Sequence, residues 1–161
     1  MSRPGELNED AVAEAAAIAR VAQRRPLKVA CAESLTSGAI ASHLGAAESS
    51  SQWFVGGVVA YSKQMKYDVL GVDRGPVVTA SCAAQMAEGV ARLTGADLTV
   101  AVTGEGGPQP SEDAPVGTVF VALHHGDKRE VREFHFDGDP STIVYATTLQ
   151  SLRMLREAAE R

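Results

Sequence analysis

The chain has 161 residues, of which 45% are apolar and 22% are charged, and these proportions exclude an intrinsically disordered or fibrous protein. The length fits a single domain over residues 1–161, in which we expect residues 1–7 to be flexible. The formal net charge of -5 and the scattered Lys and Arg residues exclude a basic surface for a phosphate backbone, so we expect no nucleic-acid partner.

Patterns in the first half of the chain predict helices that alternate with strands. Apolar residues at spacings of three and four predict a helix over residues 8–24, with Asn8 as its N-cap. A short apolar run over residues 27–32 predicts a buried strand. The next predicted elements are a helix from Thr36 or Ser37 through Leu44, a strand over residues 54–61 and a short helix over residues 64–70.

Patterns in the second half predict two helices, three strands and one long loop. Residues 81–93 have an apolar helical face, and Gly95 is placed to end that helix. Residues 103–115 have neither a helical nor a strand period, and loops of this length in compact domains are usually either functional or disordered, of which we favour a functional loop here. The other elements are strands over residues 98–102, 118–123 and 131–136, a hairpin turn at His125-Gly126-Asp127, and a last helix capped by Asp139 with Pro140 at its first position.

The order of these elements predicts the fold. Alternating helices and strands, followed by a hairpin and a closing helix, predict an α/β fold, a three-layer α/β/α sandwich around a mixed sheet. In such sheets ligands bind at the loops that leave the carboxyl ends of the strands. Ser34, Tyr61 and Thr103 each come at the end of a predicted strand, so we expect them to meet at one site.

Ser34 has two interpretations. The start of a helix offers free N–H groups that can bind an anion or a developing oxyanion, and a serine there becomes a nucleophile when a base removes its proton. Without an evident histidine partner, the available base is a desolvated lysine, Lys63 or Lys66. In the plainer interpretation, Ser34 and its neighbours only cap the helix and both lysines are solvated.

The segment 103–108 is a glycine-rich turn after a strand. It can bring backbone N–H groups close to a phosphate or a carbonyl group, although it has neither the Lys-Ser/Thr of a P-loop nor the helix that follows a dinucleotide fingerprint. Glu105 in this segment can bind a cation or a ribose hydroxyl, or it can be solvated. His43, His124 and His125 form no metal-ligand spacing and no triad, so we expect neither a metal nor a cofactor.

Together these segments resemble the CinA carboxy-terminal domain family, the nicotinamide-nucleotide amidohydrolases, between residues 28 and 157. The matching blocks occur in the same order in this chain and in the family, which makes the match specific. The matching blocks are Glu33-Ser34-Leu35-Thr36-Ser37-Gly38 for the family's Glu-Ser-Cys-Thr-Gly-Gly, Tyr61-Ser62-Lys63-Gln64-Met65-Lys66 for Tyr-Ser-Asn-Glu-Ala-Lys, Leu70-Gly71-Val72, Thr103-Gly104-Glu105-Gly106-Gly107-Pro108 for Thr-Gly-Ile-Ala-Gly-Pro, Pro115-Val116-Gly117-Thr118-Val119, and Phe136-Asp137-Gly138-Asp139 for Phe-Pro-Gly-Asp.

The resemblance implies a metal-free amidohydrolase of pyridine nucleotide salvage, which converts nicotinamide mononucleotide into nicotinate mononucleotide and ammonia. It implies that Ser34 is the nucleophile, Lys66 the base and Tyr61 a nearby hydrogen-bonding group. The chain looks like the stand-alone form, without the separate amino-terminal domain of some members. The substrate-binding residues that the resemblance implies are Glu33, Thr36, Ser37, Gly38, Thr103, Gly104, Glu105, Gly106 and Gly107.

The chain departs from the family pattern at four positions. Ser37 replaces a glycine, Lys63 an asparagine and Glu105 an apolar residue, while Pro140 stands where many members carry arginine. Lys63 and Glu105 add one charge of each sign and can pair with each other. Three functions stay open: an active nucleotide amidohydrolase, a non-catalytic paralogue that binds pyridine nucleotides, and an assembly or regulatory module.

The N-terminal segment and the two cysteines indicate where in the cell the protein is located. The N-terminus is acidic where a signal peptide is basic and apolar, and no run approaches about 18 apolar residues, so we expect a cytoplasmic protein without a membrane partner. Cys31 and Cys82 have neither CxxC nor ligand spacing, which favours reduced thiols. We expect a small-molecule nucleotide as the substrate, and a homo-oligomer, because small α/β enzymes often form symmetric assemblies.

Overall fold

The computed structural model describes residues 2–161, and Met1, the first residue of the segment predicted to be flexible, lies outside the described residues. Helices and strands alternate along most of the chain. The elements are α1 (Pro4–Arg24), β1 (Val29–Glu33), α2 (Ala39–Ala46), α3 (Ser50–Trp53), β2 (Phe54–Val59), α4 (Lys63–Leu70), α5 (Ala80–Thr94), β3 (Leu98–Gly104), β4 (Thr118–His125), β5 (Lys128–His135) and α6 (Pro140–Glu160).

The five strands form one mixed sheet in the order β2-β1-β3-β4-β5. β1 pairs in parallel with both β2 and β3, whereas β4 pairs antiparallel with β3 and β5. The predicted mixed sheet is therefore confirmed. Because β1 lies between two strands and two helical layers, all five of its residues are buried, as its continuous apolar run predicted.

Helices cover both faces of the sheet, so the predicted three-layer α/β/α sandwich is confirmed. Alternate strand residues point to opposite faces. Val100 of β3 packs in one apolar cluster with residues of α1, α2 and α6, and its neighbour Ala101 packs in a second cluster with residues of α4 and α5. The central sheet therefore belongs to two cores at once.

Two helix ends confirm the capping predictions. Asp139 caps α6, because its Oδ1 accepts a hydrogen bond of 2.8 Å from the N–H of Thr142, and Pro140 is the first helical residue. Gly95 ends α5 in the left-handed conformation, with φ of 72°, which a glycine adopts without steric cost.

Two helix starts differ from the predictions. α1 begins at Pro4 rather than Asn8, because the Glu6 carboxylate accepts a hydrogen bond from the N–H of Arg3 and holds the first turn. Residues 4–7, expected in a flexible segment, are thus helical. α2 begins at Ala39 rather than at Thr36 or Ser37, because Ser37 and Gly38 have positive φ angles of 50° and 103°, which interrupt a helix.

Two further features complete the fold. The short helix α3 has four residues, too few for the periodicity that predicts helices. No helix within residues 2–161 is long and apolar enough to cross a membrane.

Candidate active site

A cavity of about 430 Å³ lies at the carboxyl ends of the parallel strands. Ser34 enters its wall directly after β1, and Tyr61 and Lys66 enter it from the connection after β2 and from α4. The end of β3 and the following turn supply residues 103–107. The structure thus brings together the three predicted catalytic residues and the glycine-rich segment.

The centre of the cavity is a contact between a lysine and a serine. The Nζ atom of Lys66 lies 2.9 Å from the Oγ atom of Ser34. The same Nζ lies 2.7 Å from the carbonyl oxygen of Ala60 and 3.1 Å from that of Tyr61. Lys66 is only 1% exposed, so it is not the solvated surface lysine of the plainer sequence interpretation.

The surroundings of Lys66 favour its neutral form. Burial lowers the pKa of Lys66 below its ordinary value, and the nearby Lys63 ammonium lowers it further, while Cys82 and Glu112 act in the opposite direction. Burial raises the pKa of Cys82 to about 11, so this thiol carries no charge at neutral pH and does not stabilise the ammonium there.

The three contacts of Lys66 suit a neutral amine. An amine has two N–H protons and one lone pair. If the carbonyls of Ala60 and Tyr61 accept the two protons, the lone pair is left to accept the hydroxyl proton of Ser34. This arrangement can generate a serine nucleophile.

Tyr61 contributes to the site through its backbone. Its carbonyl oxygen accepts a hydrogen bond from Lys66, as described above, whereas its side chain is among the most exposed apolar side chains of the described chain, at 67%. The phenol therefore lies at the mouth of the cavity, within reach of a bound molecule and of solvent.

Glu33 lies behind the cavity and not in its wall. Its carboxylate is 1% exposed and accepts hydrogen bonds from the hydroxyl of Thr36 at 2.6 Å and from the N–H groups of Ile40 and Ala41 at 2.9 and 3.0 Å. The carboxylate thus satisfies the first N–H groups of α2. In this structure its role is to hold the start of α2.

The other predicted residues of this segment also lie outside the cavity wall. The hydroxyl of Thr36 is directed to Glu33, and Ser37 and Gly38 form the left-handed turn before α2. Leu35, which the sequence did not single out, does line the cavity. The departure at Ser37 is therefore accommodated by the turn rather than by the cavity.

The predicted residues of the second segment line the cavity, but two of their side chains bond to the protein. The hydroxyl of Thr103 donates a hydrogen bond of 2.8 Å to the carbonyl of Val77. The carboxylate of Glu105 accepts hydrogen bonds from the N–H and hydroxyl of Ser111 and from the N–H of Glu112, at 2.8 to 3.1 Å. Glu105 thereby folds the loop between β3 and β4 back on itself.

The possible ion pair between Lys63 and Glu105 is not formed. Lys63 pairs instead with Glu112, whose Oε2 atom lies 3.2 Å from its Nζ atom. Burial raises the pKa of Glu112, but hydrogen bonds from the N–H groups of Val77 and Val78, together with the Lys63 ammonium, outweigh it and hold that pKa below its ordinary value. The sequence predicted a functional loop here, but it gave no signal for Glu112.

Four backbone N–H groups in the segments that follow β1 and β3 have no partner in the described part of the chain. The N–H groups of Leu35 and Thr36 after β1, and those of Gly106 and Gly107 after β3, donate to no other residue within the described part of the chain. Gly107 has a φ of 76°, and a Cβ atom there would lie 2.8 Å from Val116, so the turn requires glycine. Of these four groups, the N–H groups of Leu35, Gly106 and Gly107 belong to residues of the cavity wall and can bind an oxyanion or a phosphate.

The histidines and cysteines lie away from Ser34. His43 lines a neighbouring hollow of about 360 Å³ beside Pro140, and burial lowers its pKa. His124 and His125 are in β4, near the hairpin at the other end of that strand. Both cysteines are free and buried. Among residues 2–161, no group of three or more His, Cys, Asp or Glu side chains could hold a metal ion.

Comparisons with known sequences identify a family model and relatives that match the chain. The family model described as "CinA C-terminal domain" matches residues 11–159. A CinA-like protein of Geotalea daltonii is 40% identical over 131 residues, which is 78% of this chain and 32% of the relative. A CinA-like protein of Thermotoga maritima is 34% identical over 146 residues, 87% of this chain and 36% of the relative. The chain thus spans about a third of the length of these curated relatives.

Solved structures are similar over nearly the whole chain. The competence-damaged protein (CinA) superfamily protein of Klebsiella pneumoniae has a TM-score of 0.89 at 29% identity, and the match covers 93% of this chain and 98% of that one. The competence/damage inducible protein of Agrobacterium tumefaciens has a TM-score of 0.89 at 32% identity, with 94% and 96% covered.

Proposed function

The chain belongs to the CinA C-terminal domain family, and on this premise we propose that it is an amidohydrolase that deamidates nicotinamide mononucleotide. The observation that carries the proposal is the contact between the buried amine of Lys66 and the hydroxyl of Ser34, at 2.9 Å. A base beside a serine hydroxyl is the arrangement that acyl-transfer enzymes use. The products are nicotinate mononucleotide and ammonia.

In the first half of the reaction, Ser34 Oγ attacks the carbon of the carboxamide while Lys66 accepts the hydroxyl proton. The C–O bond forms as the carbonyl π bond opens, and the resulting oxyanion can bind the free N–H groups after β1 or after β3. Lys66 then gives its proton to the amide nitrogen, the C–N bond breaks and ammonia leaves. An ester between Ser34 and the nicotinoyl group remains.

In the second half, water replaces the serine. Lys66, neutral again, accepts a proton from water as its oxygen attacks the ester carbon. The second oxyanion collapses, the bond to Ser34 Oγ breaks, and Lys66 returns its proton to the serine. Each step uses one base that alternates between two protonation states, which requires a lysine whose pKa is lower than usual, as burial makes it here.

The departures from the family pattern leave this dyad intact. Ser37 lies outside the cavity wall, and the carboxylate of Glu105 bonds to its own loop. Pro140 and Lys63 do line the cavity, but neither is within the hydrogen-bond set of Ser34 and Lys66. These placements favour an active enzyme over a non-catalytic nucleotide-binding paralogue.

The test is an ammonia-release assay with nicotinamide mononucleotide. We expect Ser34→Ala to lower the rate by about a thousand-fold or more, because no nucleophile replaces the hydroxyl. The exposed Ser81 provides a matched control, and Ser81→Ala should keep the wild-type rate. Activity that survives Ser34→Ala would remove this serine from the nucleophile role. Binding of the mononucleotide without any ammonia release by the wild-type protein would instead favour the non-catalytic paralogue.

A further inference from the structure

The cavity contains few charged side chains that can bind the negative charge of a nucleotide. Its wall has four ionisable side chains among the described residues, Tyr61, Lys63, Lys66 and Glu105. Lys66 already bonds to Ser34 and two carbonyls. Both oxygens of Glu105 accept hydrogen bonds from its own loop. Lys63 is therefore the cation of the cavity wall that the proposed chemistry does not use.

Lys63 is held in place by an anion that is itself fixed. Glu112 accepts hydrogen bonds of 3.0 and 2.7 Å from the N–H groups of Val77 and Val78, and its side chain is only 12% exposed. The Lys63 side chain is 53% exposed. No second acceptor among the described residues lies within hydrogen-bond distance of its Nζ atom, so two ammonium protons remain available to a ligand.

Lys63 lines the same cavity as the dyad but is bonded to neither of its members. Lys63 is the first residue of α4, and side chains three residues apart on a helix are neighbours, with Cβ atoms about 5–6 Å apart. Lys66, three residues on, reaches Ser34. A molecule that fills the cavity can thus contact the dyad with one end and the Lys63 ammonium with another.

Two other features of the protein supply no further positive charge at the cavity. α6 meets the cavity at Pro140, which has no N–H group to donate. The chain as a whole carries a formal net charge of -5, which does not attract an anion from a distance.

We propose that Lys63 binds the phosphate monoester of the substrate. This contact sets the preference of the enzyme for nicotinamide mononucleotide over nicotinamide riboside, which has an uncharged hydroxyl group in place of the phosphate. This inference rests on the function proposed above. Lys63 acts in recognition and takes no part in the proton transfers.

The test compares the two substrates in variants of one residue. We expect Lys63→Ala to lower the ratio of kcat/KM for the mononucleotide to kcat/KM for the riboside by about 10- to 100-fold, as expected for the loss of one charge-assisted contact. Lys63→Arg should restore most of the ratio. Lys128→Ala removes the same charge from the distant β5 and should leave the ratio unchanged. An unchanged ratio in Lys63→Ala would overturn the inference.

A binding measurement separates this inference from the proposed function. Calorimetry with the mononucleotide and the Ser34→Ala protein measures affinity without turnover, and adding Lys63→Ala should weaken that affinity by about the same factor. Affinity that depends on Lys63, together with a wild-type protein that releases no ammonia, would keep the phosphate site and reject the amidohydrolase. Ammonia release with an affinity that does not depend on Lys63 would reject the phosphate site alone.

Discussion

At the scale of the residue, Lys66 decides what Ser34 can do. An ammonium group loses its hydration when it is buried, so burial disfavours the charged form. The Nζ atom of Lys66 lies beside three uncharged oxygens, the carbonyls of Ala60 and Tyr61 and the hydroxyl of Ser34, and no carboxylate of the described residues lies within hydrogen-bond distance of it. An amine in these surroundings is easier to deprotonate than a surface lysine, which is the property that a general base needs at moderate pH.

The pH dependence of the rate follows from this lowered pKa. Only the neutral amine can accept the proton of Ser34, so kcat/KM should fall as pH decreases through the pKa of Lys66. At pH values well below that pKa, kcat/KM should fall tenfold for each pH unit. The midpoint should lie below the ordinary lysine value of 10.5, because burial lowers it. Measurement of kcat/KM from about pH 7 to about pH 10 tests this.

The control for the pH profile is Lys66→Arg. Arginine keeps the positive charge but is not deprotonated in proteins, so this variant should be inactive throughout the range. A wild-type kcat/KM that rises as pH decreases, or a Lys66→Arg variant that keeps the wild-type profile, would contradict the role of Lys66 as the base.

The sequence identified these residues better than it identified their environments. It predicted that Ser34, Tyr61 and Thr103 would meet, because the carboxyl ends of parallel strands share one edge of a sheet. It could not show that Lys66 is buried while Lys63 is half exposed, because both lie in the same polar segment. It also gave no signal for Glu112, whose partners Val77 and Val78 are distant in sequence.

At the scale of the element, the turn between β1 and α2 determines where Ser34 points. The two left-handed residues Ser37 and Gly38 delay the helix to Ala39. Glu33, the last residue of β1, reaches past the turn and accepts hydrogen bonds from the N–H groups of Ile40 and Ala41. The segment Glu33–Gly38 thus combines a catalytic candidate with the structural groups that position it.

Glu33 should therefore matter for stability without any ligand. Glu33→Gln replaces one carboxylate oxygen with an amide that cannot accept, which leaves a buried N–H unpaired and should lower the free energy of unfolding by about 1–3 kcal/mol. Urea denaturation measures this change. Glu9→Gln, at an exposed position of α1, should change the free energy by less than about 0.5 kcal/mol. Equal effects of the two substitutions would show that Glu33 is not needed to hold α2.

The elements differ in how well their sequences predict them. The cap of α6 and the end of α5 are formed by residues with one evident role, Asp139 and Gly95, and both predictions are confirmed. The predicted start of α2 was wrong. Thr36 and Ser37 are residue types that often cap helices, and the sequence does not show that Glu33 accepts the hydrogen bonds of the first turn instead. The bond from Glu33 to Ile40 depends on the tertiary path of the turn, which local pattern does not describe.

At the scale of the whole molecule, one sheet supports two apolar layers. α1, α2 and α6 pack on one face and α4 and α5 on the other, and β1, β3 and β4 contribute residues to both clusters. Neither layer can separate without exposing the central strands. This arrangement predicts a single cooperative unit, and the cavity lies where the strands of that unit end.

A large-to-small substitution in either apolar layer should destabilise the whole molecule, which should still unfold in one transition. Leu152 of α6 and Met86 of α5 are both 0% exposed and belong to different clusters, so Leu152→Ala and Met86→Ala should each lower the free energy of unfolding by about 2–5 kcal/mol. Leu93→Ala, at a residue that is 57% exposed, serves as the control and should have a much smaller effect.

Urea titrations followed by far-UV circular dichroism and by the fluorescence of Trp53, the only tryptophan, should coincide in each variant. Because Trp53 lies in the first cluster, a Met86→Ala protein whose circular dichroism changes before its fluorescence would contradict the single unit.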